Sequence, residues 1–443
     1  MRSVSCEESV GIICKIAFRL NLKYRILLFL LIGIRLIHFS ALSFAVQSGA
    51  TIHALSEQEI EDLMVGSSIQ ATRGNNSQRM IQLARQALSR GMEFSMIRVE
   101  DLPDDWMVVA TCGVGGGEPW PYVEERLKRQ NAVPVKNAQT EAVNALSRYV
   151  GRCFRALIRS EPGGATLQAM LTAGELGIPL VDACLSGRAR PEVQQQIPFL
   201  VGISATPAAM VTRWGDILIL GRAVDDYRLE DLSRGVAVAS GGAVFLAMNA
   251  MLGKDARRAV IPGSLSQAIK FGRAVREAKE KGEDPVKALI RVANGFKLFH
   301  GIVVKSEHTG ERGFHWANVE LRGIAEDEGH IYKIFIKNEN ILSWYDNIPD
   351  AMAPDLICNL DPTTGDALSE WGPNGYPLGQ EVVLIGIPAP PMWRSPAGIE
   401  VFGPRHFGFE LDYVPIEDLQ KRRGNLGNKQ SQVFKTESAP RIP

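Results

Sequence analysis

Short apolar runs alternate with stretches of helical periodicity in the first part of this chain. The apolar runs are Trp106–Cys112, Phe154–Ile158 and Ile178–Ala183. The helical stretches around them are Val123–Gln130, Thr140–Tyr149 and Ala165–Glu175. Because buried parallel strands appear as short apolar runs separated by helices, this pattern predicts an α/β domain with a mostly parallel sheet.

The pattern continues towards residue 294 with further predicted elements. Two strands are expected at Ala209–Thr212 and Ile217–Arg222 around a Gly-Asp turn. Gly241 and Gly242 are expected to open an apolar helix that runs through Met251. Apolar and charged positions then alternate at helical spacing over Ser264–Lys281, which predicts an amphipathic helix.

After about Gly295 the periodicity changes from helical spacing to strict alternation interrupted by turn residues. Predicted strands lie at Phe299–Val304, Trp316–Leu321, Ile331–Lys337 and Glu381–Ile387. The sequence therefore predicts a β-rich second domain. The expected organisation is an α/β domain at 49–294, a β-rich domain at 295–419 and a disordered polar tail at 420–443.

Residues 1–48 form a leader that is set aside from the fold argument. Basic residues up to Arg25 precede an apolar run from Ile26 to Ile34, and a small-x-small pattern follows at Ser43–Ala45. These are features of a signal peptide, although Arg35 interrupts the apolar stretch. Two alternatives remain: export or membrane association through residues 1–45, or a start site assigned too far upstream, which would make the protein cytoplasmic.

Composition narrows the class of function. The 443 residues carry 49 basic and 49 acidic side chains, so the net charge is zero and a general nucleic-acid-binding role is disfavoured. The six cysteines form no CxxC pair, and no HExxH or zinc-finger spacing occurs. The sequence requires no cofactor, and a divalent metal of unknown identity stays open. The expected partner is a small-molecule substrate.

Three turns that follow the predicted strands nominate a site, because ligands bind at the carboxyl ends of parallel strands. The first turn runs from Gly113 through Gly115, Gly116 and Gly117 to Glu118. Its glycines allow backbone N–H groups to approach a ligand closely at the start of a helix. A glycine turn needed only for tight packing is the alternative.

The second turn places Glu161 before Gly163 and Gly164. A carboxylate at a strand end, with a pKa tuned by burial, is a candidate general base. The structural alternative is that Glu161 caps a helix or pairs with an arginine.

The third turn carries the most chemistry. Asp182 is a second candidate base, Arg188 and Arg190 are candidates for binding an anionic group, and Glu192 follows. Cys184 is a candidate nucleophile if Arg188 lowers the pKa of its thiol. An internal Asp–Arg ion pair is the alternative for this segment.

Several of these motifs together resemble a known family. The segment from Ile178 to Glu192 is similar to the PVVDADGMGRAFPE segment of the S-methyl thiohydantoin desulfurase-like family, and Glu161–Gly164 resembles its EIGG segment. Further segments match in order, from Phe299–Val303 through Lys337–Ile341 to Gly403–Gly408. The resemblance covers roughly residues 55–419. Cys184 stands where the family has the second aspartate of its DAD motif.

The resemblance implies hydrolytic removal of a methylthio group from a cyclic thiohydantoin, or opening of a hydantoin-like ring by activated water. It also implies a hydantoinase- or oxoprolinase-type partner subunit. The alternative is a non-catalytic ligand-binding or accessory subunit of such a complex. Oligomeric state stays open, with a homo-oligomer as one expectation.

Overall fold

Strands and helices alternate in the first half of the chain, as the apolar pattern predicts. The computed structural model describes residues 51–115, 120–369 and 375–427. The strands of the first sheet are β1 Ile52–Ala54, β2 Ser95–Arg98, β3 Met107–Gly115, β4 Ala156–Arg159, β5 Leu180–Cys184, β6 Ala208–Thr212, β7 Ile217–Leu220, β8 Ala243–Leu252 and β9 Ile261–Pro262.

The helices of this half pack against the sheet. They are α1 Glu57–Gln70, α2 Ser77–Ser89, α3 Pro121–Arg129, α4 Ala138–Val150, α5 Gly164–Leu176, α6 Ile197–Leu200, α7 Asp226–Ala239, α8 Gly253–Ala256, α9 Ser264–Lys281 and α10 Pro285–Ala293. Ser56 begins α1 with a capping box, in which its hydroxyl and the Glu59 carboxylate each accept a backbone N–H. The predicted α/β domain is confirmed.

The sheet has the strand order β1-β2-β5-β4-β3-β8-β6-β7, and β9 pairs with β5. Its four central strands, β2, β5, β4 and β3, run parallel. Antiparallel strands are added on both sides. The carboxyl ends of β3, β4 and β5 therefore meet at one edge, where the three predicted turns begin.

The prediction of an apolar helix after Gly242 is wrong. Residues Ala243–Leu252 form strand β8, which pairs with β3 on one side and β6 on the other. An apolar run that is covered on both faces carries no alternation, so its periodicity cannot separate a buried strand from a buried helix. Here pairing with β3 and β6 makes the segment a strand.

The second half of the chain forms a seven-stranded antiparallel sheet. Its strands are β10 Phe296–Glu311, β11 Phe314–Gly323, β12 Ile331–Lys337, β13 Glu339–Tyr345, β14 Ile348–Met352, β15 Leu356–Leu360 and β16 Glu381–Ile387, in the order β14-β13-β12-β11-β10-β16-β15. Helices α11 Pro396–Phe402 and α12 Ile416–Gly427 follow. The predicted β-rich half is confirmed.

Helix α12 extends into the segment predicted as a disordered tail. Gln420 and Arg423 both hydrogen-bond to the buried Asp350 carboxylate, so polar composition here reflects buried contacts rather than disorder. Residues 428–443 lie outside the described residues, as does the leader at 1–48. Among the described helices, none is both long and apolar enough to cross a membrane.

Helices α1, α9 and α10 join the two sheets through one apolar cluster. Ile69, Phe271 and Leu289 pack against Ile385 and its neighbours on β15 and β16. Two glycines permit the close contact between α1 and α9: a Cβ at Gly66 would lie 1.8 Å from the Ala268 carbonyl oxygen, and a Cβ at Gly272 would lie 1.9 Å from that of Asp62. This packing carries the residues that follow α1 to the second sheet.

Candidate functional site

A cavity of about 380 Å³ lies where the carboxyl ends of β3 and β4 meet the start of β13. Its charged lining comes from four separate segments of the chain, and the residues are Glu161, Arg190, Glu192, Glu230, Arg234 and Glu339. The volume falls within the range of about 300–1,000 Å³ that small-molecule sites occupy. The arrangement therefore suits a small polar ligand.

Glu161 lies just beyond the end of β4 and lines this cavity. Its Oε2 accepts a hydrogen bond of 3.0 Å from the backbone N–H of Arg190. Burial raises the pKa of Glu161, while the charge and the N–H of Arg190 oppose that rise. A carboxylate with a raised pKa and one fixed N–H donor is suited to accept a proton from water.

Glu339 begins β13 and was not among the predicted site residues. It is 3% exposed, and its Oε2 accepts a hydrogen bond of 2.9 Å from the Thr72 hydroxyl. Burial raises the pKa of Glu339 to about 8, and the negative charge of Glu161 contributes. Glu339 is therefore protonated at neutral pH beside an ionisable carboxylate in the same cavity.

The signal for Glu339 was present in the sequence, inside the matched segment Lys337–Ile341. Asn338 has a φ of +55° and makes the tight connection between β12 and β13 that turns Glu339 inward. A carboxylate between two largely apolar predicted strands was the feature of the sequence that could have indicated a functional role for Glu339.

Arg190 lies with Glu161 at the cavity. Its Nη1 donates a hydrogen bond to the Val193 carbonyl, which fixes the guanidinium against the lining. This positive charge is placed to stabilise negative charge on a bound ligand.

Glu230 and Arg234 form a buried ion pair that also lines the cavity. The shortest distance between Arg234 Nη2 and Glu230 Oε1 is 2.5 Å, and Arg234 also donates to the carbonyls of Gly115 and Pro191 at 2.5 and 3.0 Å. Sequence analysis missed both residues because an acid and a base four positions apart on a helix are typical of an exposed surface. The pair holds the first and third turns together.

Glu192 lines the cavity, is 8% exposed and is held by two side chains. It accepts hydrogen bonds from Lys337 and, at 2.6 Å, from His406 Nε2. Burial raises the pKa of Glu192, but the hydrogen bond from His406 and the charge of Lys337 bring it down to about 2. Glu192 is therefore ionised and internally neutralised.

Some of the predicted glycines line the cavity, and another shapes the turn beside it. Gly115 and Gly164 line the cavity, and the Gly164 N–H donates to Asn75 Oδ1 at 2.9 Å. Gly163 has a φ of +82°, and a Cβ there would lie 2.2 Å from Asn75 Oδ1. Glycine is therefore required at this turn. Gly116, Gly117 and Glu118 lie outside the described residues.

Asp182 is placed differently from the expectation that it activates water. Its carboxylate accepts hydrogen bonds from the Leu265 and Ser266 N–H groups at 2.8 and 3.0 Å and from the Ser266 hydroxyl at 2.6 Å. It thus caps the N-terminus of α9, where negative charge is favourable. It is not among the residues that line the cavity.

Arg188 and Cys184 also lie behind the cavity wall rather than in its lining. Arg188 is fully buried, and its guanidinium donates to the carbonyls of Pro354, Asp355 and Asn340 at 2.9, 2.7 and 3.2 Å. The Cys184 thiol is fully buried and accepts the Gly187 N–H at 3.3 Å. For Arg188 to contact an anionic substrate as predicted, its hydrogen bonds to these three carbonyl oxygens would have to break.

Cys112 on β3 is buried and reaches the cavity lining. Burial raises the pKa of its thiol to about 12, so it is protonated at neutral pH. Within the described ranges, no group of three or more histidine, cysteine or carboxylate side chains is arranged to hold a metal ion.

The fold and the site define a protein in which an α/β domain and an antiparallel sheet together enclose a cavity with paired carboxyl groups. Family models for the S-Me-THD-like N-terminal domain and C-terminal domain match residues 58–222 and 224–416. The chain therefore belongs to the S-methyl thiohydantoin desulfurase-like family. The models meet next to α7, whereas the second sheet begins at Phe296.

A solved structure has the same fold. It is a crystal structure of a protein from Chromobacterium violaceum, with 22% sequence identity and a TM-score of 0.65, and the alignment covers 82% of this chain and 99% of that one. At this identity the likeness supports the fold alone. No match was found among curated proteins.

Proposed function

We propose that this protein is a hydrolase that removes the methylthio group from a cyclic S-methyl thiohydantoin. The observation that carries the proposal is the pair Glu161 and Glu339, which line one cavity with unlike environments. Glu161 accepts a hydrogen bond from a backbone N–H. Glu339 is buried, and among the described hydrogen bonds its only donor is a hydroxyl group. Burial raises the pKa of both carboxyl groups, and their different hydrogen-bond donors suit them to divide the roles of base and acid.

In the proposed reaction Glu161 takes a proton from water as the water oxygen bonds to the ring carbon that carries sulfur. The electron pair of the C=N bond moves onto the ring nitrogen and forms a tetrahedral intermediate. That pair then re-forms the C=N bond as the C–S bond breaks, and the sulfur accepts a proton from Glu339. The first products are methanethiol and the hydroxyl tautomer of the hydantoin, which becomes the hydantoin when its O–H proton moves to the ring nitrogen. The proton held by Glu161 returns to Glu339 through solvent, so both carboxyl groups are restored and one water is consumed.

Arg190 stabilises the negative charge that develops on the ring nitrogen, because it is fixed at the cavity before the substrate binds. Asp182 supports the site indirectly in this proposal. By capping α9 it fixes the helix that packs on α1, and α1 leads to Thr72, the donor to Glu339. Cys184 has no role in the chemical steps.

The test is to incubate the full chain with an S-methyl thiohydantoin and to follow methanethiol with a thiol reagent and the ring product by mass spectrometry. We expect equal amounts of methanethiol and hydantoin. Replacing Glu161→Gln should lower the rate about 10²- to 10⁴-fold, the usual contribution of a general base. Glu93→Gln, at an exposed carboxylate outside the cavity, is the matched control and should leave the rate unchanged.

Other outcomes would identify a different function. Ring opening without thiol release would indicate a hydantoinase-type reaction at the same carboxyl pair. Tight binding of the compounds without turnover of any of them would favour an accessory ligand-binding subunit and overturn the hydrolase proposal.

A further inference from the structure

A second cavity, of about 670 Å³, lies next to the first and is here named the outer cavity. Glu192, Glu230 and Arg234 line both cavities, so the two spaces lie on either side of the same three side chains. A five-membered ring that reacts beside Glu161 occupies the first cavity, and nothing in the proposed reaction uses the outer one. A ligand that fills both would extend past these three side chains.

The remaining wall of the outer cavity presents aromatic and apolar surface. Trp120, Tyr227, Val238 and Phe314 line it, and the first two are 49% and 38% exposed. The backbone N–H of Trp120 donates a hydrogen bond of 3.3 Å to the Val238 carbonyl, which fixes this residue at the cavity beside α7. Large aromatic side chains left exposed inside a concave site are typical of a surface that an apolar ligand covers.

The charged groups of this wall already have partners. Glu192 is paired with Lys337 and His406, and Glu230 is paired with Arg234. Asp231 pairs with Arg228 at 3.4 Å, and Glu311 pairs with Arg312 at 3.6 Å. The outer cavity therefore offers aromatic contact rather than an unneutralised charge, which favours an uncharged ligand group.

We propose that the outer cavity binds an aromatic substituent on the ring of the substrate, so that the substrate is an aryl-substituted thiohydantoin. This proposal rests on the proposed function, since it takes the ring to lie beside Glu161 and Glu339. The substituent projects from the ring carbon opposite the methylthio group, past the Glu230–Arg234 pair, and packs against Tyr227 on α7 and against Phe314. Burial of the aromatic group supplies affinity and selects the substrate.

The test compares the binding of two product-like probes, 5-benzylhydantoin and 5-methylhydantoin, to the full chain by isothermal titration calorimetry. We expect at least about tenfold tighter binding of the benzyl compound, in line with burial of one aromatic side chain. Gly235 on α7 lines the outer cavity, and a Cβ there would meet no atom within 4 Å. Gly235→Phe should therefore fill the cavity and abolish the preference for benzyl.

The control is Gly424→Phe, since Gly424 is also an exposed helical glycine with open space around its Cβ and lies outside both linings. Both changes replace a helical glycine, so neither should impair folding. Equal affinity for the two probes, or a preference that survives Gly235→Phe, would overturn the proposal. Methanethiol release is measured separately: benzyl preference without thiol release rejects the hydrolase but keeps the aromatic subsite.

Discussion

The Thr72 hydroxyl donates a 2.9 Å hydrogen bond to Oε2 of Glu339, and this bond joins the segment after α1 to the first residue of β13. It gives a buried carboxyl group one neutral donor in place of water. This hydrogen bond opposes the effect of burial, which together with the charge of Glu161 still raises the pKa of Glu339 to about 8. The protonation of this one group links activity to stability.

Replacing Glu339→Gln should change how stability depends on pH. The pKa of Glu339 is raised from 4.5 to about 8 in the folded protein, so its stabilising effect is complete below pH 4.5 and is lost as pH rises towards 8. The loss is about 1.4 kcal/mol for each unit of pH between these values. Urea unfolding from pH 4 to 9 should show a steeper fall in the wild type than in the glutamine variant, which keeps other carboxyl groups with raised pKa values, such as Glu161.

The same substitution also tests whether Glu339 is the proton donor in the proposed reaction. Methanethiol release by the wild type should decline above pH 8, as Glu339 ionises, and the glutamine variant should be slow at every pH. If the variant keeps the wild-type rate at pH 7, Glu339 is not the proton donor.

Replacing Asp182→Asn should affect stability more than chemistry. The carboxylate accepts three hydrogen bonds at the start of α9, and hydrogen bonds to a charged group contribute about 1.5–3 kcal/mol each at most. We expect the free energy of unfolding to fall by about 1–3 kcal/mol, with the rate per folded molecule nearly unchanged. Asp105→Asn, at an exposed position, is the control. Loss of turnover in a fully folded Asp182→Asn protein would instead support Asp182 as a base.

Arg188→Ala should be strongly destabilising. The guanidinium satisfies buried carbonyls at Pro354, Asp355 and Asn340, and these would be left without a donor. Removing a buried charged partner typically costs about 3–5 kcal/mol, measurable by urea unfolding. Arg148→Ala, on the exposed face of α4, should change stability by less than about 0.5 kcal/mol. A similarly small effect for Arg188→Ala would mean that the hydrogen bonds of Arg188 to these carbonyls contribute little to stability.

Ionisation of Glu192 should make the free energy of unfolding depend on pH below about pH 4.5. Its pKa is lowered from 4.5 to about 2, so its contribution is complete above pH 4.5 and is lost as pH falls towards 2. At pH 7 we expect Glu192→Gln to lower the free energy of unfolding by about 3 kcal/mol, and the difference from the wild type should vanish near pH 2. Denaturant titrations at pH 7, 4 and 2 test this, with Glu93→Gln as the control.

How far the sequence predicts this protein is clearest from three positions. Glu161 follows an apolar run and precedes two glycines, so its place at a strand end and at a cavity could be predicted from local pattern. Asp182 has the same local pattern, yet its carboxylate meets the N-terminus of α9. Nothing near Asp182 in the chain indicates that contact, because the helix begins at Ser264.

The sequence by itself determined the alternation of elements, the change to antiparallel strands near residue 295 and the family, since these depend on local periodicity and on ordered motifs. Tertiary structure alone decided that β8 is a strand, that Asp182 caps a helix and that Glu339 joins Glu161. The physical reason is that burial, hydrogen-bond partners and the resulting pKa values arise where distant segments pack. Two glutamates that lie far apart in the chain acquire raised pKa values and different hydrogen-bond donors only when the fold places them in one cavity.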